Sequence, residues 1–310
     1  MLYVYLTSFL LFLLFSIISC DDQFLKIPVT INDNGIPTIS IDIGIPHQSF
    51  SFLLSSTLSG VLIISNKNTM GGYDETKSHS FKSLEPIKLS YIEANAEGRI
   101  AKDSLTINTP GHMILYSDYK FVLIDQVSEP FYFKGAIGFE YQTPKGDTLS
   151  LFKRLYNDNM LYRNVFYMEK TEKETNLILG AYPNYYVKKS KYPYCDLIKK
   201  EDGEPNTLWQ CNLHLIYFDD FTMNIVNEPV TFSIGDKYNC VNNELYEIIK
   251  KRVFTDAMQN KICYEKENKR YNQIVCRSTF QFDDNLIISY IIDKMNIKYN
   301  IKNLFVEKDE

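Results

Sequence analysis

The stretch "PTISIDIGIPHQSFSFLLSSTLSGVLIIS", Pro37 to Ser65, contains no Asp, Glu, Lys or Arg after Asp42 and none until Lys67. Its apolar runs are short and broken by turn residues at Gly44, Pro46 and Gly60. Short apolar runs bounded by turns read as strands. "PTISIDI" alternates at period two, "SFSFLLS" and "GVLIIS" read as apolar strands, and Ser55 to Gly60 form a turn of small residues between them. A turn at the end of a buried strand is also where a chain places a nucleophile or an acid, yet this one offers only hydroxyls.

The texture stays β to about Gly180. "IKLSYIEANAEGRIAKDSLTI" reads as a hairpin with a polar tip at Glu93 to Glu97, and "YKFVLIDQ", "NVFYMEK" and "TNLILGAY" as strands. One helix is expected in "DTLSLFKRLYNDNML", with Leu149, Leu151, Phe152, Leu155 and Tyr156 at helical spacing behind Asp147 as N-cap. From Tyr192 the pattern returns in coarser form: strands in "LWQCNLHLIYF" and "PVTFSIG", then a short helix in "NELYEIIKKRVF" after Asn242 or Asn243. Two β-rich lobes in succession fit two stacked domains.

The 310 residues suffice for one large or two medium domains. An apolar fraction of 45% with 23% charged supports a substantial core, and a net charge of −5 gives no reason to expect nucleic acid. Residues 1–19 are nearly all apolar and are followed by Asp21-Asp22. This reads as a secretory signal peptide cleaved near Ser19 or Cys20, the other reading being a retained membrane anchor. Past it lie Cys195, Cys211, Cys240, Cys263 and Cys276, which in a secreted chain point to local disulfides with one cysteine left over. "EDGEP" between Cys195 and Cys211 reads as a turn that would bring those two together. The four histidines are scattered and no CxxC or HExxH occurs, so neither a metal nor a cofactor is expected.

Taken in order, several segments resemble the pepsin-like aspartic peptidases. "ISIDIGIPHQSFSFLL" is similar to the strand leading into the family's first catalytic turn. "SYIEANAEGRIAKDSLTI" is similar to its flap hairpin, with Tyr91 at the flap tyrosine. "YFKGAIGFEYQ", "LFKRLYNDNMLYRNVFYMEK" and "LILGAYPNYY" resemble the segments that complete the first lobe. The resemblance implies an all-β, bilobal acid-protease fold. With residues 1–20 read as the signal peptide, it implies an N-terminal lobe with flap at 21–187 and a C-terminal lobe at 188–310 that is incomplete or rewired. The family cysteine matched by Cys276 has its partner beyond this region, so Cys276 is expected to pair with Cys240 or Cys263 or to stay unpaired.

In that family each lobe supplies one aspartate from an Asp-Thr-Gly turn. Two carboxyls that close share one proton; one activates a water while the other, protonated, polarises the scissile carbonyl. Here "SSTLS" resembles the first turn, with Ser56 at the aspartate position, or Ser55 if the turn is shifted by one residue. Leu58 then stands where glycine is expected. "VTFSIGDKYN" resembles the second turn, with Ser233 replacing the aspartate, Gly235 at the glycine and Asp236 three residues on. A serine hydroxyl does not titrate near neutrality, and no His, Lys or acid sits beside either serine to activate it. The serines are read as satisfying turn hydrogen bonds.

The function expected is a secreted, non-catalytic aspartic-peptidase homologue that binds a peptide or protein. Tyr91, Thr57, Ser59 and Gly235 are the candidate substrate-binding residues. The chain is expected to be a monomer in the secretory lumen or outside the cell, with no membrane attachment once the leader is cleaved. Two alternatives stand beside this: an active endopeptidase whose carboxylates lie elsewhere, and an extracellular scaffold without a working cleft.

Overall fold

The computed structural model of the chain describes residues 24–32, 35–67, 70–91, 94–128, 131, 133–139, 150–182, 195, 197–198, 209–235, 240–267 and 272–305. The chain divides into two compact units. The first comprises Met1–Tyr192, Lys199–Trp209 and Thr231–Gly235; the second comprises Pro193–Ile198, Gln210–Val230 and Asp236–Glu310. Strand dominates both, so the protein is all-β.

The first unit holds β1 (Leu25–Ile31), β2 (Pro37–Ile43), β3 (Gln48–Ser55), β4 (Val61–Ile64), β5 (Lys82–Tyr91), β6 (Ala94–Thr109), β7 (His112–Val127), β8 (Gly135–Gly138), helix α1 (Leu151–Asn157), β9 (Phe166–Lys170) and β10 (Thr175–Leu179). The strands form one sheet in the order β5-β6-β7-β4-β8-β3-β2-β1-β10-β9. The second half of β6 also pairs with β2, at Leu105 to Ile107 against Ile43 to Ile41, which closes β2, β3, β8, β4, β7 and β6 into a ring. β4 and β8 are buried along their whole length because apolar clusters cover both of their faces, Val61, Ile63 and Ile137 packing in one and Leu62 and Ala136 in others, which is why neither strand carries a charge.

β6 reaches both sides of the ring because it bends. Its ladder with β7 shifts register between Glu97 and Gly98 and again between Asp103 and Leu105. At the first shift a Cβ on Gly98 would lie 2.2 Å from the Leu123 carbonyl oxygen, so only glycine permits the approach. The hairpin closes between the paired residues Tyr91 and Ala94, so Asn95 to Glu97, expected at its tip, already belong to β6. A polar strand is stable there because Asn95 and Glu97 face water.

α1 starts later than the pattern implied. Its N-cap is Ser150, whose Oγ accepts from the Lys153 N–H at 3.0 Å. Asp147 and Leu149, the expected cap and first apolar residue, lie outside the described residues. Leu151, Phe152 and Leu155 form the buried face that packs into the core of the unit.

The second unit contains β11 (Gln210–Phe218), most of β12 (Phe221–Thr231), β13 (Cys263–Glu267), β14 (Asn272–Cys276), β15 (Ile287–Ile292) and β16 (Met295–Asn300). They form a four-stranded sheet, β12-β11-β15-β16, and a separate β13-β14 pair. Asn242 caps α2 (Asn243–Ile249), accepting from the Leu245 N–H at 2.9 Å. A π-helical turn at Lys250–Phe254 joins α2 to α3 (Thr255–Gln259) and drives Phe254 into a cluster with Phe280, Phe282 and Phe305. Two disulfides staple this unit, Cys195–Cys211 and Cys263–Cys276. The second joins directly opposed residues of β13 and β14, where facing side chains come closest. Cys240, put forward from sequence as a bridge partner, lies exposed and outside both.

One pH effect follows from the second unit. Glu265 accepts from Lys250 Nζ at 2.6 Å, and this hydrogen bond, reinforced by one from Tyr246, holds its carboxyl below the usual range against the opposing effect of burial. A lowered folded pKa adds stability that is present above the unfolded value of about 4.3 and is lost as pH falls through the folded value. Glu265→Gln should therefore lose less stability than the natural protein between about pH 6 and pH 3 in urea melts. Equal losses in the two proteins would contradict this.

Candidate functional site

β3 ends in four buried residues, Phe52 to Ser55, and runs parallel to β8 with Ser55 opposite Gly138. The turn that follows β3 folds back across β8. The Gly138 N–H donates to the Gly60 carbonyl at 2.7 Å, and a Cβ on Gly138 would lie 2.1 Å from the Leu58 carbonyl oxygen. Gly135 is similarly required, because a Cβ there would meet the Phe52 ring at 2.7 Å. The small residues of "GAIG" are thus what let the turn sit down on the sheet. The turn also closes on itself, the Ser55 Oγ accepting from the Thr57 N–H at 3.2 Å and lying 3.1 Å from Thr57 Oγ1.

The segment Thr231–Gly235, far along the chain, packs against this turn inside the first unit. Ser56 makes the join. Its Oγ donates to the Phe232 carbonyl at 2.8 Å and accepts from the Ile234 N–H at 2.8 Å, so one hydroxyl holds the peptide groups on either side of Ser233. The Ser56 N–H donates to the Ile234 carbonyl at 3.1 Å. From the other side Gly235, at φ +87°, brings its Cα against the Leu54 carbonyl; an added Cβ would be 2.0 Å from that oxygen.

A closed circuit of hydrogen bonds fixes the pair of turns. The Phe139 N–H donates to the Ser55 carbonyl at 2.7 Å, and the Phe139 carbonyl accepts from the Trp209 indole at 2.6 Å. The Trp209 carbonyl accepts from the Phe232 N–H at 2.9 Å, and the Phe232 carbonyl returns to Ser56. Trp209 is the chain's single tryptophan. Sequence reasoning passed over both it and Phe139; the signal that could have found the site's supports was the pair of glycines flanking Ala136-Ile137.

Of the residues singled out from sequence, Ser55, Ser56, Ser233 and Gly235 are therefore brought together, with Ser55 and Ser56 buried and Ser233 exposed. Thr57 and Ser59 lie half-buried on the same turn. The backbone of Tyr91 sits in β5 opposite Ala94, and Asp236 lies outside the described residues. The described parts of both turns, 55–60 and 231–235, contain no ionisable side chain.

A buried carboxylate of the ring is Asp103, only 1% exposed at the second bulge of β6. It accepts hydrogen bonds from the Tyr73 hydroxyl, the Ser80 hydroxyl and, at 2.7 Å, the Ser104 N–H. Burial first, and then the bond to Asp103, pushes the Tyr73 hydroxyl above its ordinary range, so Tyr73 remains the donor. These partners make Asp103 a structural acceptor inside the ring.

An all-β unit that clasps two short turns together at the end of a parallel strand pair defines a pepsin-like fold. The chain belongs to the eukaryotic aspartyl protease family, whose model matches residues 38–310. No curated protein matches it. The two disulfides fit an oxidising, secretory compartment, and no helix among the described residues is long and apolar enough to cross a membrane.

Proposed function

We propose that this chain is a non-catalytic aspartyl protease homologue in which hydroxyls stand at both catalytic positions. The observation that carries the reading is the clasp between the turns. Ser56 pairs with Ile234 through backbone and side chain, which favours matching these two residues to each other and hence Ser55 to Ser233. On that match Ser55 and Ser233 take the aspartate places, Ser56 and Ile234 the second place, and Thr57 and Gly235 the glycine place. The one-residue shift moves the departure from the family's glycine from Leu58 to Thr57.

Aspartic proteolysis needs two carboxyls that share a proton, one to take a proton from water and one to give a proton to the carbonyl oxygen. Serine hydroxyls can do neither near neutral or acid pH. The surface around the turns can still hold an extended peptide through the β5–β6 hairpin and main-chain groups, without any carboxyl. With residues 1–20 read as a cleaved leader, this protein works as a secreted peptide binder.

The test is hydrolysis of a mixed peptide library between about pH 3 and pH 7, with a transition-state-mimic inhibitor as control. The natural protein is expected to show no inhibitor-sensitive cleavage. Losing acid and base together should forfeit more than the roughly 10²–10⁴-fold assigned to a single acid–base group. Ser55→Asp/Ser233→Asp is expected to gain inhibitor-sensitive cleavage at acid pH, and Ser56→Asp/Ser233→Asp to gain none. Inhibitor-sensitive cleavage by the natural protein would overturn the proposal.

A further inference from the structure

In the second unit the Cys195–Cys211 bridge lies against Asp293, at the turn between β15 and β16. The two sulfurs and a carboxylate oxygen of Asp293 all fall within 4.8 Å of one another. Asp293 is held at φ +47°, an unusual conformation for a residue with a side chain, and its N–H is tied to the Asn212 carbonyl at 3.3 Å. One carboxylate oxygen, Oδ1, faces His214 Nε2 at 3.0 Å. The other, Oδ2, is buried and makes no hydrogen bond among the described residues. A buried carboxylate oxygen without a donor is costly, and a bound cation would satisfy it.

We propose that the Cys195–Cys211 bridge is the oxidised form of a divalent metal site, with Cys195, Cys211 and Asp293 as ligands and His214 behind Asp293. A tetrahedral zinc with sulfur at about 2.3 Å and oxygen at about 2.0–2.2 Å holds its ligand atoms roughly 3.5–3.8 Å apart, a spacing this cluster reaches by small side-chain movements once the sulfur–sulfur bond is gone. Two thiolates and one carboxylate carry three negative charges and with Zn²⁺ leave a net charge of −1, a donor set zinc accepts, and His214 supplies the hydrogen bond that orients the ligating carboxylate. The fourth position is left to water.

The switch is a two-electron reduction. A dithiol reductant attacks one sulfur of the bridge, forms a mixed disulfide and then closes to its own disulfide; the bridge takes both electrons and two protons and becomes two thiols. The metal ion then displaces those two protons to solvent and binds the thiolates. In an oxidising compartment the site is a staple of the second unit; under reducing conditions the ion takes over the staple's role.

The experiment footprints the full chain with iodoacetamide and mass spectrometry after reduction, with and without Zn²⁺ alone. Zinc is expected to slow alkylation of Cys195 and Cys211 at least about tenfold and to leave Cys263 and Cys276 unchanged. Asp293→Asn keeps the turn conformation but offers a poorer ligand, and should lose at least about tenfold of that protection. If reduction opens the fold, zinc should restore the far-ultraviolet circular dichroism of the natural protein and fail to do so in Asp293→Asn. Four results would each overturn the proposal: no protection, equal protection of all four cysteines, undiminished protection in Asp293→Asn, or the same zinc binding by the oxidised protein.

Discussion

Ser56→Ala is expected to destabilise the protein by about 2–5 kcal/mol, a large effect for the loss of one oxygen atom. Ser56 is 2% exposed, and its hydroxyl is at once the donor to the Phe232 carbonyl and the acceptor for the Ile234 N–H. Alanine strands both groups, and each stranded backbone group in a dry contact costs about 1–3 kcal/mol. Ser56→Thr keeps the hydroxyl and should cost less than Ser56→Ala, about 1–3 kcal/mol at most, since only a methyl must be accommodated. Urea unfolding followed by the fluorescence of Trp209 reads both variants, and Trp209 belongs to the same hydrogen-bond circuit. A Ser56→Ala protein as stable as the natural one would mean that the clasp contributes nothing. The reading of the two turns as a matched pair would then fall with it.

Asp103→Ala should cost about 3–5 kcal/mol, because the change removes the acceptor for a buried cluster. The Tyr73 hydroxyl sits on a residue that is 0% exposed, and the Ser104 N–H is buried beside it. Neither can reach water when the carboxylate is gone. Asp103→Asn retains an acceptor oxygen in nearly the same shape and should cost distinctly less. Tyr73→Phe with Asp103→Ala should cost less than the sum of the two single changes, since the tyrosine's stranded hydroxyl is then absent. Additive costs in that cycle, or an Asp103→Ala loss under about 1 kcal/mol, would show that the cluster is not coupled as its hydrogen bonds imply.

Both variants probe features that have no local signature. Nothing around Asp103 in "GRIAKDSLTI" marks it as buried, because its partners Tyr73 and Ser80 approach from another part of the chain. The same holds for Ser56, whose partners lie 176 and 178 residues away. The sequence offered two adjacent serines for the proposed catalytic-turn position, and the choice between them rests on which hydroxyl crosses to the second turn.

What the sequence determined by itself is what short-range chemistry encodes. Period-two alternation and apolar runs fixed β2, β3 and β4, and turn residues fixed Gly44 to His47; the Cys195–Cys211 bridge was also anticipated, though the turn read at 201–205 lies outside the described residues. The strands and the Gly44–His47 turn depend on neighbours a few residues apart, where the backbone's own geometry sets the pattern. The tertiary structure alone decided the closure of β6 onto β2, the choice of Cys263 rather than Cys240 for Cys276, and the clasp of Ser56 around Ser233. These are pairings between distant segments. Each local pattern allows several partners, and only the packing of the whole ring, or the facing register of β13 and β14, leaves one of them within bonding distance.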